Sequence, residues 1–420
     1  MADDTPVKAP VIVILVFYAL GISTMLPWNF FITADMYWQY KLRNVSLGEE
    51  WDASDASLTP LQKSFMPTLV IVSNVFSVVF FIINSAVVKK VREGVRILGS
   101  LSLLMLAMIL ITIFTSVTTD SWQTTFFVIT MIIVALLNMC TAVLQGSLYG
   151  LAGLFPSSCV SSVISGQAIA GVFSSLARII SLLVGEEPVT SALIFFTIAD
   201  VFLVFTIVGY IFLTKGMYYM KVKKEVEKKL LESPQEARSD YATYVAVLKK
   251  VWPMGTTLGG SLIVTLMIYP SVLVYITSTS PESRWTQIFF QPTITFLLFN
   301  LSDWCGRETP RWLKWPSERG WQLHVAALCR IIFLPLLMLC HGTNKTFPTI
   351  FANDAYYIPL LILFAFTGGH FGTLTLIYYP SRLESEEMDV GGAIMGALMG
   401  VGMVTGSLLS PAMVALWGPQ

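Results

Sequence analysis

What most constrains this chain is one recurring pattern: runs of apolar residues, each about as long as a membrane-crossing helix, from one end to the other. The runs fall at about 11–34, 64–87, 95–117, 123–149, 157–184, 190–214, 254–278, 285–306, 322–341, 356–379 and 391–416. A helix needs ~20 apolar residues to cross a ~30 Å hydrocarbon core. In lipid its backbone polar groups must be satisfied within the segment, which a helix does. The eleven runs therefore predict an all-α polytopic membrane protein with eleven transmembrane helices. The composition fits, since 55% of the 420 residues are hydrophobic and 12% are charged, about half the ~25% charged share of soluble domains. Formal net charge is zero, so no nucleic-acid partner is expected. The first run follows an acidic stretch (Asp3, Asp4) and has no AxA-like site. It reads as a spanning helix, not a signal peptide.

Lysine and arginine set the orientation, because loops on the cytoplasmic side are enriched in them. With the N-terminus inside, eighteen of the 26 lie on cytoplasmic segments and five outside, with Arg178, Arg307 and Arg330 left within helices. An N-terminus inside and a C-terminus outside follow. The sequons Asn44-Val45-Ser46 and Asn344-Lys345-Thr346 then both fall outside, where Asn44 and Asn344 are candidate glycosylation sites. The longest inside loop, about 215–250, is basic. It reads either as a lipid-binding amphipathic segment or as a solvated linker near anionic lipid. It divides the chain into an N-terminal bundle of six helices (1–214) and a C-terminal bundle of five (251–420), with 215–250 between them. That split points to a major-facilitator-like arrangement.

Several chemistries are disfavoured. Cys140, Cys159, Cys305, Cys329 and Cys340 show no CxxC or zinc-ligand spacing, so no metal or cofactor is expected. There is no GxxxxGK[ST] and no HExxH, so ATP-driven pumping by a P-loop and zinc hydrolysis lack support.

The functional shortlist comes from polar groups inside the apolar runs, since an ionised side chain at mid-bilayer costs at least ~2.5–3.5 kcal/mol. In the eighth run Phe296, Asn300, Asp303 and Arg307 are spaced to share one helical face, and Asp303 precedes Arg307 by the four residues that favour an ion pair. That stripe reads either as a buried lock or as a water-filled binding face. In the first run Pro27 precedes Trp28, an indole deep in the segment. Trp28 is either a packed ring beside a kink or a stacking surface for a substrate. In the fourth, Gln145 offers an amide for interhelical bonds or for a ligand. Gly166 and Ala170 in the fifth run, and Gly392, Gly396 and Gly400 in the eleventh, are expected to permit close helix contacts. Arg178 and Asp200 flank the turn near 187 at depths differing by roughly 6 Å at 1.5 Å per residue. They are expected to pair across that hairpin.

LPWNFF at 26–31, VRILGS at 95–100, LQGSLYGLAG at 144–153, SGQ at 165–167, FN-x-x-DW-x-GR at 299–307 and GAIM at 392–395 resemble the equilibrative nucleoside transporters. The likeness runs through almost the whole chain in family order. It implies facilitated, bidirectional movement of nucleosides such as adenosine and uridine by alternating access, by a monomeric unit in the plasma membrane. It implies that Trp28 stacks on the nucleobase and Gln145 bonds its edge. Asp303 and Arg307 would engage the ribose, with Asn300 and Phe296 lining the same cavity and Ile32 near the outer mouth. Arg96 and Asp389 would close the cytoplasmic side. Thr367-Gly368-Gly369-His370-Phe371 departs from the family pattern, leaving His370 as either a pH-sensitive cavity residue or a hydrogen-bonded helix partner. The rival readings are a proton-linked nucleoside or organic-cation transporter of an acidic organelle such as the lysosome, and a membrane receptor that binds without translocating.

Overall fold

A computed structural model describes residues 9–45, 58–87, 91–184, 187–232, 241–280, 283–317, 321–343, 345–383 and 388–418. Among them nine helices are long and apolar enough to cross a membrane. These are α1 (Val11–Thr33), α3 (Pro60–Val87), α4 (Glu93–Ser116), α5 (Gln123–Gly153), α6 (Ser157–Val184), α7 (Pro188–Lys215), α9 (Tyr241–Ile268), α14 (Asp354–Tyr378) and α15 (Met388–Trp417). A short α2 (Asp35–Lys41) follows α1. Pro27 sits inside α1 without ending it.

The two other apolar runs are helical but broken, and a proline accounts for each break. The run at 285–306 becomes α10 (Arg284–Ile288), a π-helical stretch Gln291–Leu298 and α11 (Phe299–Glu308). The run at 322–341 becomes α12 (Gln322–Cys329), a 3₁₀ turn Arg330–Ile332 and α13 (Phe333–Met338). A proline ring clashes with the carbonyl four residues earlier and removes a hydrogen bond. For Pro292 that carbonyl belongs to Ile288, the last residue of α10. For Pro335 it belongs to Ile331, inside the 3₁₀ turn.

The surface is apolar where a soluble protein's would be polar. On α7, Val201, Val204, Phe205, Val208 and Phe212 form one exposed stripe, with Phe205 and Phe212 each 71% exposed. The opposite face buries Phe195, Phe196, Ala199, Leu203 and Tyr210. Exposure of aromatic rings at helical spacing is what a hydrocarbon-facing helix requires.

Helices α1 and α3 to α7 pack mainly among themselves, as do α9 to α15. The two sets meet where α3 lies against α15 and where α6 lies against α11 and the π-helical stretch. At the first contact Asn74 donates to Ser407 Oγ at 2.5 Å. Within the first set α1 and α6 approach closely at Gly21 and Gly166, where an added Cβ would strike the backbone of Val163 and Tyr18 respectively. In the second set the close approach of α9 and α15 falls at Gly259 and Gly402. Of Gly392, Gly396 and Gly400, expected to permit close contacts, Gly400 does so against Val78 of α3, Gly392 faces the Tyr379 hydroxyl at ordinary contact distance, and Gly396 faces open space. Of the segment 215–250, the described residues form α8 (Met217–Glu232) and the start of α9. Lys223 of α8 pairs with Glu93 of α4 at 2.5 Å, which holds α8 against the first set.

Candidate functional site

Helix α11 carries the strongest polar pair. Arg307 Nε donates to Asp303 Oδ2 at 2.7 Å, as the four-residue spacing predicts. The pair is not sealed: the Arg307 side chain is 40% exposed and Asp303 18%. Leu301 and Cys305 are exposed on the opposite face of the same helix. The charge of Arg307 reaches Tyr149 on α5, across the junction between the two helix sets. The charge of Asp303 reaches Tyr269 and Arg330. Thus the pair looks inward. Because it is joined through one N–H and one oxygen, the other carboxylate oxygen and the terminal guanidinium N–H groups have no partner among the described residues.

The rest of the expected stripe behaves differently. Asn300 is buried and donates to Ser175 Oγ of α6 at 3.3 Å. Its amide occupies the space an added Cβ on Gly171 would need, so α6 and α11 cross closely there. Phe296 lies in the π-helical stretch and is 1% exposed, edge-on to Tyr269 at 6.2 Å. The wider turn of a π-helix alters the angular spacing there, and Phe296 packs inside the second set. Tyr269 in turn stacks on Phe299 at 3.8 Å.

Trp28 is half-buried on α1. With Pro27 and Phe31 it lines a shallow cleft, closed by Ser73 of α3 and by Val134, Leu137 and Asn138 of α5. Asn138 donates to Ser73 Oγ at 3.1 Å and ties the cleft's two walls together. Among the described residues no hydrogen bond, ion pair or ring contact joins Trp28 to Asp303 or Arg307. Gln145 is buried on α5, one turn before Tyr149. Ile32 is fully buried near the end of α1. Arg96 is half-buried in the first turn of α4, whereas the side chain of Asp389 lies outside the described residues. Asn44 is exposed; Ser46 and Asn344 lie outside the described residues.

Two expectations about ionisable groups need correction. Arg178 does not pair with Asp200. Arg178 is buried, donates to Ser191 Oγ at 2.7 Å, and lies within the field of Asp35 on α2. Asp200 instead accepts from Thr112 of α4 at 2.7 Å. Depth along the hairpin matched, but rotation did not: Arg178 meets Ser191 near the start of α7 and the field of Asp35 on α2, while Asp200 turns toward α4. His370 takes the helix-partner role. It is buried, its Nε2 bonds the Trp315 carbonyl at 2.8 Å, and its ring stacks on Phe366.

Sequence reasoning missed three residues here. Tyr149 was legible in principle, because it lies one turn from Gln145. Gln167 and Arg330 were not, since their partners come from other helices. Gln167 accepts from the Tyr149 hydroxyl at 2.7 Å and donates to Thr24 Oγ1 at 3.1 Å. Arg330 donates to the Ser261 carbonyl at 2.8 Å, to Thr265 Oγ1 at 3.0 Å and to the Phe364 carbonyl at 3.0 Å.

Comparison with known proteins agrees with this architecture. The family model described as Nucleoside transporter matches residues 131–242 and 229–415. Equilibrative nucleoside transporter 2 of Rattus norvegicus is 33% identical, over 94% of this chain and 95% of the relative. Equilibrative nucleoside transporter 1 of Homo sapiens is 31% identical, over 94% of this chain and 95% of the relative. The crystal structure of nucleoside transporter NupG superposes with a TM-score of 0.58 at 11% identity, over 96% of this chain and 94% of that one. That last likeness concerns the fold alone.

Proposed function

The chain belongs to the equilibrative nucleoside transporter family, and from that premise we propose that it carries nucleosides down their gradient by offering Asp303 and Arg307 to the ribose. The observation that carries this reading is the open, singly joined ion pair on the inward face of α11. The carboxylate oxygen outside the pair accepts from ribose hydroxyls, and the terminal guanidinium N–H groups donate to ribose oxygens. Hydrogen bonds to charged groups contribute ~1.5–3 kcal/mol, so a sugar without its hydroxyls leaves those groups unpaired and is rejected.

Trp28 supplies the aromatic surface for the base, and Gln145 bonds the base edge. Asn300 holds α11 against α6, Phe296 supports α11 from within the second half, and Ile32 sits near the outer mouth. Arg96 and Asp389 close the cytoplasmic side. The two broken runs cross the bilayer like the nine continuous helices, giving eleven crossings in a six-plus-five arrangement, N-terminus inside and C-terminus outside. Transport works by rocking of the two sets about the α3–α15 and α6–α11 junctions, in a monomer at the plasma membrane, glycosylated at Asn44 and Asn344.

Radiolabelled uridine and adenosine uptake tests this reading. Asp303→Ala and Arg307→Ala are each expected to abolish uptake while surface expression persists. Normal uptake by either variant removes the ribose site.

A further inference from the structure

Helix α7 delivers the chain to the membrane surface. Its 28 residues rise about 42 Å at ~1.5 Å each, the full thickness of a bilayer with its headgroups. The exposed apolar stripe of α7 ends at Phe212, and the exposed Lys215 follows in the last turn. Gly216 is extended, with ψ 139°, which ends α7. Helix α8 starts at the next residue, at headgroup level.

One face of α8 is occupied. Tyr218, Tyr219 and Val222 pack against the core of the first set, with the Tyr218 and Tyr219 rings 6.2 and 5.5 Å from that of Phe155. Lys223, reaching Glu93, lies on the same side. The other face holds Met217, Met220, Lys221 and Lys224. Spacings of three and four residues put these side by side. Met217 is 85% exposed and Met220 46%. A linker that crosses water gains nothing from two flexible apolar side chains held outward on a helix fixed in place. A helix lying in the bilayer interface needs apolar side chains with cations beside them. Lysine suits that depth, because its stem packs along apolar surface while the ammonium stays among polar groups. Glu225 also lies on this side, 4.0 Å from Lys221. An exposed pair of that kind is weak and yields readily to a phosphate.

We propose that this outward face of α8 binds anionic phospholipid: Met217 and Met220 enter the boundary between headgroups and acyl chains, and Lys215, Lys221 and Lys224 meet the phosphates. The occupant follows from charge, since a basic surface at headgroup depth attracts anionic lipid. It follows also from continuity with the hydrocarbon-facing stripe of α7. Because Lys223 and the two tyrosines hold α8 to the first helix set, the lipid grips that set and not a loose linker. The inference needs only the membrane-embedded fold and stands apart from the nucleoside site.

The test places the photoreactive analogue benzoylphenylalanine at Met220 of the full-length chain, in vesicles of phosphatidylcholine and phosphatidylserine in equal amounts. Illumination links the probe to whatever lies against it, and mass spectrometry of the linked peptide identifies the headgroup. The same probe at Val201, on the exposed stripe of α7, supplies the reference ratio for lipid met at its acyl chains. From Met220 the expected product is phospholipid, with phosphatidylserine over phosphatidylcholine roughly fivefold above the Val201 ratio, the share of one surface lysine. Lys221→Gln combined with Lys224→Gln should keep the lipid product and lower its ratio to that of Val201. Where the Met220 probe hinders folding, the same probe at Met217 gives the reading. No lipid product from either methionine position, while Val201 yields one, places α8 in water and overturns the proposal. A lipid product at the Val201 ratio overturns it too, as does an enrichment that survives loss of both lysines.

Discussion

Two arginines of the second helix set feel the same acid, Asp303, yet their surroundings differ. Arg330 is 1% exposed, and its guanidinium donates to Ser261, Thr265, Phe364 and Thr367, with the Phe364 ring 5.1 Å from its centre. Arg307 is 40% exposed and donates to Asp303 alone. A guanidinium inside a membrane protein is tolerable when its donors are all occupied. Donors left over on an inward face mark a place for a ligand. The same residue type thus serves as a structural clamp in one place and, in the proposed reading, as a substrate hook in the other. The difference is readable only from what surrounds each group.

Arg330→Ala offers the largest test of that contrast. Removing a buried cation leaves the Ser261 and Phe364 carbonyls without their donor, at a cost of about 1–3 kcal/mol for each. Surface expression should fall steeply, as measured by surface labelling, whereas Arg307→Ala should reach the surface at close to wild-type amounts. Equal expression of the two would erase the distinction.

Asp35 supplies a third case, a sealed acid beyond the end of α1. Burial pushes its carboxyl up from 3.8 to about 6, against the opposing charge of Arg178 and hydrogen bonds from Gln39 and Gln291. A raised carboxyl favours the neutral form in the folded state. Its contribution is therefore fully present below about pH 3.8 and is lost as pH rises through about 6. The swing is at most about 3 kcal/mol. Detergent-solubilised protein should melt at lower temperature at pH 7 than at pH 5, and Asp35→Asn should flatten that slope. Parallel slopes for variant and wild type would show that Asp35 is not responsible.

Arg307→Lys sharpens the comparison at intermediate scale. It keeps the charge but not the planar set of donors, so uptake efficiency should drop by about tenfold, one lost charged hydrogen bond or ~1.5 kcal/mol. Wild-type kinetics would mean that charge alone suffices. The smallest effect is expected at Thr367→Val, which removes one 3.3 Å bond to Arg330 among several. A destabilisation of about 0.5–1 kcal/mol should appear in thermal melts with uptake unchanged. A loss as large as that of Arg330→Ala would mean that the clamp depends on this one hydroxyl.

The Asp303–Arg307 pair was legible because both residues sit on one helix, where spacing dictates contact. The Arg178–Asp200 pairing failed because it spans two helices: depth follows from counting residues, but rotation about each axis does not. The placement of Phe296 was less legible for a related reason. Its position was counted on α-helical spacing, and the π-helical stretch at Gln291–Leu298 alters that spacing. The breaks beside Pro292 and Pro335 were half legible, since proline announces trouble without saying how the chain accommodates it.

By itself, the sequence determined that this chain is helical and membrane-embedded, which segments are apolar, and which family it resembles. Those properties are local: apolar length, proline position and residue order along one strand of text. Only tertiary structure decided which arginine is clamped and which is open, that Arg178 lies in the field of Asp35, and that Tyr149 meets Gln167. Each of those depends on which faces of separate helices turn toward one another. That choice is made by packing over the whole molecule, and no single stretch of residues encodes it.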